Sequence, residues 1–435
     1  MKTSLALFAS LFAACTAPLA AQDMAIVNAT VVTGDGGEPI KDGVVIIEAG
    51  RVTYAGAPDG RSFETDAVMD VNDAWVTPGL FATVTTLGLV DVGAVSQSND
   101  QGAGGAPFGA ALETALALNP YSQHLMVHRA AGITRAATST VPSASIFAGQ
   151  GAIIDLDNDR SPVMKADAFQ MVALGERGAA IAGGSRTASH ALLRAALREA
   201  SMVRRPMPRT HDIEAGSDVL LGSFDVEALR HVVTGEQPLY IRVERASDIL
   251  QALALKTDFP NLDLVLVGVS EGWLVAKEIA AAGVPVIADG LDDLPSNFEQ
   301  LAATQSNIGR MTRAGVTVAI NAGGLNHARR LPQVAGNLVA LNKVPGATGL
   351  SWGEAFAAIS SIPAKISGMG DQAGVLQPGA LGDVVIWDGD PLELGSIPTR
   401  VYIDGVEQDL TTHQSRLRDR YKSGPKGAMP KAFDW

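Results

Sequence analysis

Strand signals and helix signals alternate through the middle of the sequence, and this alternation limits the fold more than any other feature. Short apolar, β-branched runs are typical of buried strands, and stretches with helix-start or helix-end signals follow them. The predicted strands are Phe147–Asp155, Leu239–Val243, Leu264–Gly268 and Val316–Asn321, and helices are predicted at 189–203, at 225–235 and after the capping boxes Ser296–Glu299 and Ser351–Glu354. Repeated strand–helix units build a parallel sheet covered by helices. The sequence therefore predicts an α/β fold whose main domain is a TIM-like (β/α)8 barrel.

The composition agrees with a large α/β protein. The chain has 435 residues, 47% of them hydrophobic, which is enough for one large domain and a smaller one. Its 46 glycines indicate many tight connections between strands and helices. The formal net charge of −13 argues against a nucleic-acid partner.

The first 21 residues have the features of a signal peptide. Lys2 is the positive end, Leu5–Ala14 is a short apolar run, and small residues at 17–21 suit cleavage near Ala21. The apolar run is too short for a transmembrane helix, so we expect a periplasmic or secreted protein. Lipid attachment at Cys15 is the alternative. Because Cys15 is the only cysteine, a cleaved chain would have no disulfide and no thiolate.

Two motifs flank the predicted barrel. In the first, Val76–Gly88, the pair Pro78-Gly79 precedes a β-rich segment; the second is Gly374–Trp387. The first resembles the P-G-L-I-D-x-H-x-H-L strand of the metal-dependent amidohydrolase superfamily, especially its imidazolonepropionase-like and dipeptidase-like branch. The second resembles the G-x-L-x-P-G-x-x-A-D-x-V-V-W motif of the same family.

This resemblance implies a domain organisation and an activity. Between the signal peptide at 1–21 and a basic tail at 411–435, it implies a composite β-sandwich domain from 22–76 and 373–410 and a barrel over 77–372. The family hydrolyses carbon–nitrogen bonds, in dipeptides or in compounds other than peptides. There a hydroxide on zinc or another divalent metal attacks the carbonyl carbon, and an aspartate shuttles the proton.

The positions that correspond to the family's metal ligands hold other residues in this chain. They are Val84 and Thr86 for the first-strand histidines, Arg242 for the fifth strand, Gly268 for the sixth and Gly324 for the eighth. Zinc needs at least three His, Cys, Asp or Glu ligands. A guanidinium about 4 Å from a dication would also repel it by roughly 8 kcal/mol at an effective dielectric near 20. We therefore expect no metal cofactor and no catalytic residue of the family's kind.

Arg242 has two interpretations. It could be a buried cation that pairs with Glu244, Asp248 or Glu271 and fills the vacated centre. Alternatively, its charge could replace the metal as a binder of carboxylates. The candidate ligand-binding residues at the barrel mouth are Arg242, Glu244, Asn321, Asn326, His327 and Arg329. By contrast, His124 and His128 are four residues apart on a helix that should lie outside the barrel, so we expect them at the surface.

Two functions compete on these grounds. The first is an exported, non-catalytic member of the amidohydrolase fold, which binds a small molecule or serves as a partner subunit. Its partner would be an active relative, or a second copy in a homo-oligomer. The alternative is an active hydrolase of carbon–nitrogen bonds, either metal-dependent through unrecognised ligands or metal-independent through Arg242.

Overall fold

The structure is a computed structural model that describes residues 23–60, 67–202, 220–321 and 327–422. The predicted signal peptide with Cys15, the loop positions Gly324 and Asn326, and tail residues 423–435 lie outside the described residues.

The described residues form two sheets and the helices around them. The strands are β1 (Met24–Val31), β2 (Ile40–Glu48), β3 (Arg51–Gly56), β4 (Val68–Asp70), β5 (Trp75–Pro78), β6 (Leu80–Thr85), β7 (Ile133–Thr138), β8 (Phe147–Asp155), β9 (Val163–Ala173), β10 (Leu239–Val243), β11 (Leu264–Gly268), β12 (Val286–Asp289), β13 (Val318–Asn321), β14 (Val384–Trp387), β15 (Pro398–Ile403) and β16 (Val406–Glu407). The α-helices are α1 (Gln123–Arg129), α2 (Gly175–Ile181), α3 (Arg186–Met202), α4 (Ser223–Thr234), α5 (Ala246–Leu253), α6 (Leu255–Asp258), α7 (Ala276–Ala282), α8 (Asn307–Arg313), α9 (Leu331–Ala340), α10 (Trp352–Ala357), α11 (Ser361–Ile366) and α12 (His413–Lys422).

Strands β6 to β13 form the predicted barrel as one eight-stranded sheet in chain order. Its two edges, β6 and β13, lie side by side. Residues after α10 bridge them, because Ala358 O accepts from Ile320 N at 2.9 Å and Ile359 O accepts from Phe81 N at 3.1 Å. The sheet is therefore nearly closed, and the prediction of a TIM-like barrel is confirmed.

One barrel strand runs against the others. β8 is antiparallel to both β7 and β9, whereas the remaining neighbours are parallel. Only residues 139–146 join β7 to β8, and only 156–162 join β8 to β9. A parallel crossover needs about a dozen residues or more, so connections this short force the chain to reverse direction.

The barrel interior is packed with apolar side chains. Along β10, the side chain of Tyr240 points inward and stacks on Phe169 with ring centroids 4.2 Å apart. Its neighbour Ile241 packs in the other cluster, toward the helices. Because side chains alternate along a strand, Arg242 returns to the inner side, one pleat closer to the barrel mouth.

The chain ends form the second sheet, as predicted. Its order is β16-β15-β14-β5-β1-β2-β3, with β4 paired to β1. The chain passes into the barrel at Gly79, between β5 and β6 and slightly after the predicted boundary at residue 76. A Cβ on Gly79 would lie 2.0 Å from Thr134 Oγ1, which explains a glycine at this junction.

The two sheets are joined through a buried arginine. Arg135 on β7 donates to both carboxylate oxygens of Asp383, at 2.7 and 2.9 Å, and lies 2.8 Å from Asp404. Both Arg135 and Asp383 are only 1% exposed. Burial by itself would raise the pKa of Asp383, but the adjacent guanidinium holds it below its usual range.

The helix predictions have mixed outcomes. The capping box at Ser351 and Glu354 is confirmed as the start of α10. The predicted helix at Ser296–Glu299 is wrong, because Glu299 bonds elsewhere: its Oε2 accepts from Glu176 N at 2.7 Å and from Arg186 at 3.2 Å. These contacts hold the loop after β12 to helices α2 and α3.

The described part of the tail, residues 411–422, contains α12, and none of the residues of that helix is buried. Within the described ranges, no helix is both long enough and apolar enough to cross a membrane.

Candidate functional site

A small cavity lies at the carboxyl ends of the barrel strands. Its volume is about 240 Å³, and its lining includes Val84, Ser139, Thr140, Met171, Arg177 and Arg242. The carboxyl ends of barrel strands are where enzymes of this architecture place their sites. The cavity is apolar on its inner wall and carries two guanidinium groups, so its chemistry suits a small anion.

The backbone at the inner wall of the cavity is strained. Val84 has φ of 50°, and the pairing of β6 with β7 shifts register between Ala82 and Thr85. A β-branched residue is rarely found in the left-handed region, because its branched Cβ crowds the backbone. Such strain is concentrated at functional sites in proteins generally.

Arg242 and Glu244 face each other at the end of β10. The shortest distance between the guanidinium and the carboxylate is 3.6 Å, from Nη2 to Oε1. The side chain of Arg242 is 41% exposed, whereas that of Glu244 is 5% exposed. The predicted pairing of Arg242 with Glu244 is therefore present, but the prediction that Arg242 is buried is wrong: its charge is open to the cavity, and only its partner is buried.

Glu244 is held by Ser270, which lies just after β11. Ser270 donates to Glu244 Oε2 from its hydroxyl at 2.8 Å and from its backbone N–H at 3.2 Å. Gln300 Nε2 in turn donates to Ser270 Oγ at 3.0 Å. Burial and the nearby Asp289 raise the pKa of Glu244 to about 7, although Arg242 and Ser270 oppose this shift.

Gly268 leaves the space that Glu244 fills. At the end of β11, φ of Gly268 is 91°, and a Cβ built there would lie 2.2 Å from Glu244 Oε1. Even an alanine at position 268 would therefore collide with the carboxylate of Glu244. The carboxylate thus occupies the place toward which any side chain at position 268 would point.

The other predicted ligand-binding residues do not converge on this cavity. Asn321 is 7% exposed at the end of β13, paired in register with Asp289, but does not line the cavity. His327 is exposed. Its pKa is nevertheless lowered, first by the slight burial of its ring and then by the nearby bases Arg330, Arg329 and His124. Arg329 lines a different cavity, beside β14 and the start of β15.

Two further placements differ from expectation. Thr86 is fully buried and does not line the cavity, although Val84 two residues earlier does, because of the irregular backbone between them. His128 is 1% exposed, so the prediction of a surface role is wrong for this residue. Its Nδ1 lies 2.7 Å from the carbonyl oxygen of His124, and α1 packs against β7.

The residues at the mouth do not fit a zinc ion. Val84 and Gly268 have no ligand atom, Thr86 has a poor one, and Arg242 is a fixed cation. Glu244 is a possible ligand, but it is already bound by Ser270 and faces Arg242. Within the described ranges, one acidic cluster could hold an ion, and it lies at the opposite end of the barrel: Asp155, Asp157 and Asp159.

Three residues of the site are absent from the candidates predicted from the sequence: Arg177, Ser270 and Gln300. Arg177 reaches the cavity from α2, and its Nη2 donates to Pro142 O at 2.5 Å. Ser270 follows a predicted strand, which was a usable signal, but its bonding to Glu244 depends on the neighbouring strand. Gln300 belongs to the loop that was predicted as a helix.

Known proteins resemble this chain in both sequence and fold. The model of the Amidohydrolase family (Amidohydro_3) matches residues 275–407. The amidohydrolase tasK of Hapsidospora irregularis is 42% identical over 60 residues, which are 14% of this chain and only 6% of that protein.

Solved structures resemble the chain over most of its length. An amidohydrolase from Thermotoga maritima MSB8 superposes with a TM-score of 0.75 at 23% identity, over 88% of this chain and 99% of that one. A zinc-bound adenosine deaminase from Xanthomonas campestris gives a TM-score of 0.53 at 16% identity, over 94% of this chain and 100% of that one. At these identities the likeness concerns the fold.

Proposed function

We propose that this protein is an exported, non-catalytic member of the amidohydrolase superfamily that binds a small carboxylate at the barrel mouth. The observation that carries the proposal is the cluster at the ends of β10 and β11. There Arg242 is open to the cavity and the Glu244 carboxylate fills the space beside Gly268. A cavity of about 240 Å³ suits a small ligand rather than a polymer.

The loss of the metal is the first part of the proposal. Four of the five positions that correspond to family ligands lie in described residues, and they are Val84, Thr86, Arg242 and Gly268. The fixed charge of Arg242 opposes a dication, whereas it attracts a carboxylate.

Metal content tests this part. We expect less than about 0.1 zinc or manganese per chain, by elemental mass spectrometry, in protein expressed with both metals and purified without chelator, because fewer than three ligands converge at the mouth among the described residues. About one metal per chain that resists dialysis would contradict the lost site and would favour the alternative, a metal-dependent hydrolase of carbon–nitrogen bonds.

Binding at Arg242 is the second part. We expect N-acetylglycine to bind more tightly than neutral N-acetylglycinamide, and Arg242→Ala to weaken its binding about tenfold to hundredfold. The reason is that a hydrogen bond to a charged group contributes about 1.5–3 kcal/mol, and 1.4 kcal/mol is a factor of ten. Isothermal titration calorimetry at pH 6 measures both differences in affinity.

Binding of N-acetylglycine should also weaken as the pH rises through about 7, because ionised Glu244 then offsets the charge of Arg242.

Arg245→Ala is the matched control. Arg245 lies three residues further along, and its side chain is 39% exposed, almost as much as that of Arg242. It pairs with Asp248 at 3.1 Å and does not line the cavity. Equal affinities of Arg242→Ala and the unmodified protein, or an equal loss in Arg245→Ala, would refute the carboxylate site.

One observation supports a second candidate, metal-independent hydrolysis. A carboxylate whose pKa is about 7 can take a proton from water near neutral pH, and Arg242 lies 3.6 Å away, where it could stabilise an oxyanion. Turnover of amides, dipeptides or cyclic imides that survives chelation and disappears in Glu244→Gln would establish this alternative. The absence of such turnover supports the non-catalytic function.

Export is proposed from the first 21 residues alone. Cleavage near Ala21 would leave β1 intact, because that strand begins at Met24. Cell fractionation and the intact mass of the purified protein test export: a mass without residues 1–21 supports export, and a lipid-modified chain that begins at Cys15 supports the alternative.

A partner subunit remains part of the proposal. Co-purification of this protein with an amidohydrolase relative tests that part.

A further inference from the structure

A second cavity, larger than the one at the barrel mouth, lies beside the barrel wall. Its volume is about 630 Å³, within the range of small-molecule sites. It lies between α4 and the segment Phe108–Glu113, next to the amino-terminal parts of β9 and β10. It shares no lining residue with the barrel-mouth cavity. We propose that this cavity binds an organic cation that carries an apolar group.

The walls of the cavity are held in place by buried contacts. Asp225, in the first turn of α4, is 7% exposed and accepts from Gly109 N at 3.0 Å and Ala111 N at 2.8 Å. On the other side, Gln150 N donates to Leu112 O at 2.7 Å. The segment is therefore bound both to the helix and to the barrel wall, so little order is lost when a ligand binds.

Two aromatic rings meet at the edge of the cavity. Phe108 and Phe224 pack edge to face, with ring centroids 5.5 Å apart. They remain 40% and 60% exposed, which is unusual for phenylalanine. Aromatic faces attract cations, and their apolar surface would cover the hydrocarbon part of such a ligand.

The lining is predominantly acidic. It contains Glu113, Asp167, Glu227 and Glu236; Glu236 pairs with His231, the one base of the lining, at 2.6 Å, and Glu227 pairs with Arg230 at 3.2 Å. In the described part of the chain, neither Glu113 nor Asp167 forms a salt bridge. Carboxylates that line a cavity raise the local concentration of cations.

One residue of the lining also carries a buried acceptor. Gln237 is 5% exposed, and its Nε2 donates to Gln150 Oε1 at 3.0 Å and to Asp167 O at 2.8 Å. These two bonds fix the orientation of the amide. Its Oε1 is buried with no hydrogen-bond partner among the described residues. Since an unsatisfied buried acceptor is unfavourable, an ammonium N–H that reached it would bind there.

The test uses three probes of similar shape: 2-phenylethylammonium, neutral 2-phenylethanol and anionic 3-phenylpropionate. By isothermal titration calorimetry we expect the ammonium to bind with a dissociation constant of about 1 mM or lower, and the other two at least about tenfold more weakly. The variant Glu113→Gln with Asp167→Asn should weaken ammonium binding about tenfold or more, and Phe224→Ala should also weaken it. High salt should reduce the affinity.

The matched control changes the same charge elsewhere. Glu278→Gln with Asp73→Asn alters two exposed carboxylates that line neither cavity, and Asp73 has a positive φ, as Asp167 has. This control and Arg242→Ala should leave ammonium binding unchanged, which separates this site from the one at the barrel mouth. The proposal is overturned if no saturable binding occurs up to about 10 mM. It is also overturned if 3-phenylpropionate binds equally well, or if the Glu113/Asp167 variant binds like the control.

Discussion

Arg135→Ala is expected to destabilise the protein by about 3–5 kcal/mol, because it leaves the carboxylate of Asp383 buried without its cation. Asp383 is 1% exposed, and Arg135 provides two of its hydrogen bonds. Whole domains are stable by only about 5–15 kcal/mol, so this loss is a large part of the total. Urea unfolding followed by tryptophan fluorescence measures it.

Arg400→Ala is the control for this prediction. Arg400 lies on β15 of the same chain-end sheet and pairs with Glu407 at 2.9 Å, but its side chain is 46% exposed. Exposed ion pairs contribute about 0–1 kcal/mol, so this variant should unfold almost as the unmodified protein does. If both variants lost the same stability, the role of Arg135 in joining the two sheets would be refuted.

Gly268→Ala is expected to cost roughly 2–4 kcal/mol and to displace Glu244. About 1–2 kcal/mol comes from an alanine with φ near 91°. The remainder comes from the collision of its Cβ with the Glu244 carboxylate, which would lose its bonds to Ser270. The same variant should change the pH dependence of carboxylate binding, since Glu244 would no longer face Arg242 in the same way.

Two comparisons isolate the collision. Gly283 also has positive φ, at 63°, but a Cβ there meets no atom within 4 Å, so Gly283→Ala should show the backbone cost alone. In a Glu244→Ala background, Gly268→Ala should likewise cost only about 1–2 kcal/mol. Additive effects of the two substitutions would mean that the carboxylate does not fill the space beside Gly268.

The two predictions concern different regions of the protein, the junction of the two sheets and the barrel mouth. Arg135 connects the barrel to the chain-end sheet, so its removal should affect global unfolding. The Gly268–Glu244 contact belongs to the barrel mouth, so its disruption should affect ligand binding as well as stability. Measurement of both properties on both variants would separate the scaffold from the site.

Local patterns in the sequence were sufficient for the strands that carry the site. The apolar runs at 239–243 and 264–268 became β10 and β11 with the predicted bounds. The capping box at Ser351 also behaved as predicted, because it acts within one helical turn. The Ser296–Glu299 box did not, because Glu299 has partners more than a hundred residues away, at Glu176 and Arg186.

Local periodicity and residue type are enough to predict the alternation of strands and helices and to identify the side chains at the strand ends. The second domain built from both chain ends is predicted from the resemblance of the two flanking motifs to those of the amidohydrolase family. Three features are visible only in the folded chain: β8 runs antiparallel to its neighbours, Arg242 is open while Glu244 is buried, and the carboxylate of Glu244 fills the space beside Gly268. These depend on distances between residues on different strands and loops, and burial and electrostatic energy follow those distances rather than the order of residues along the chain.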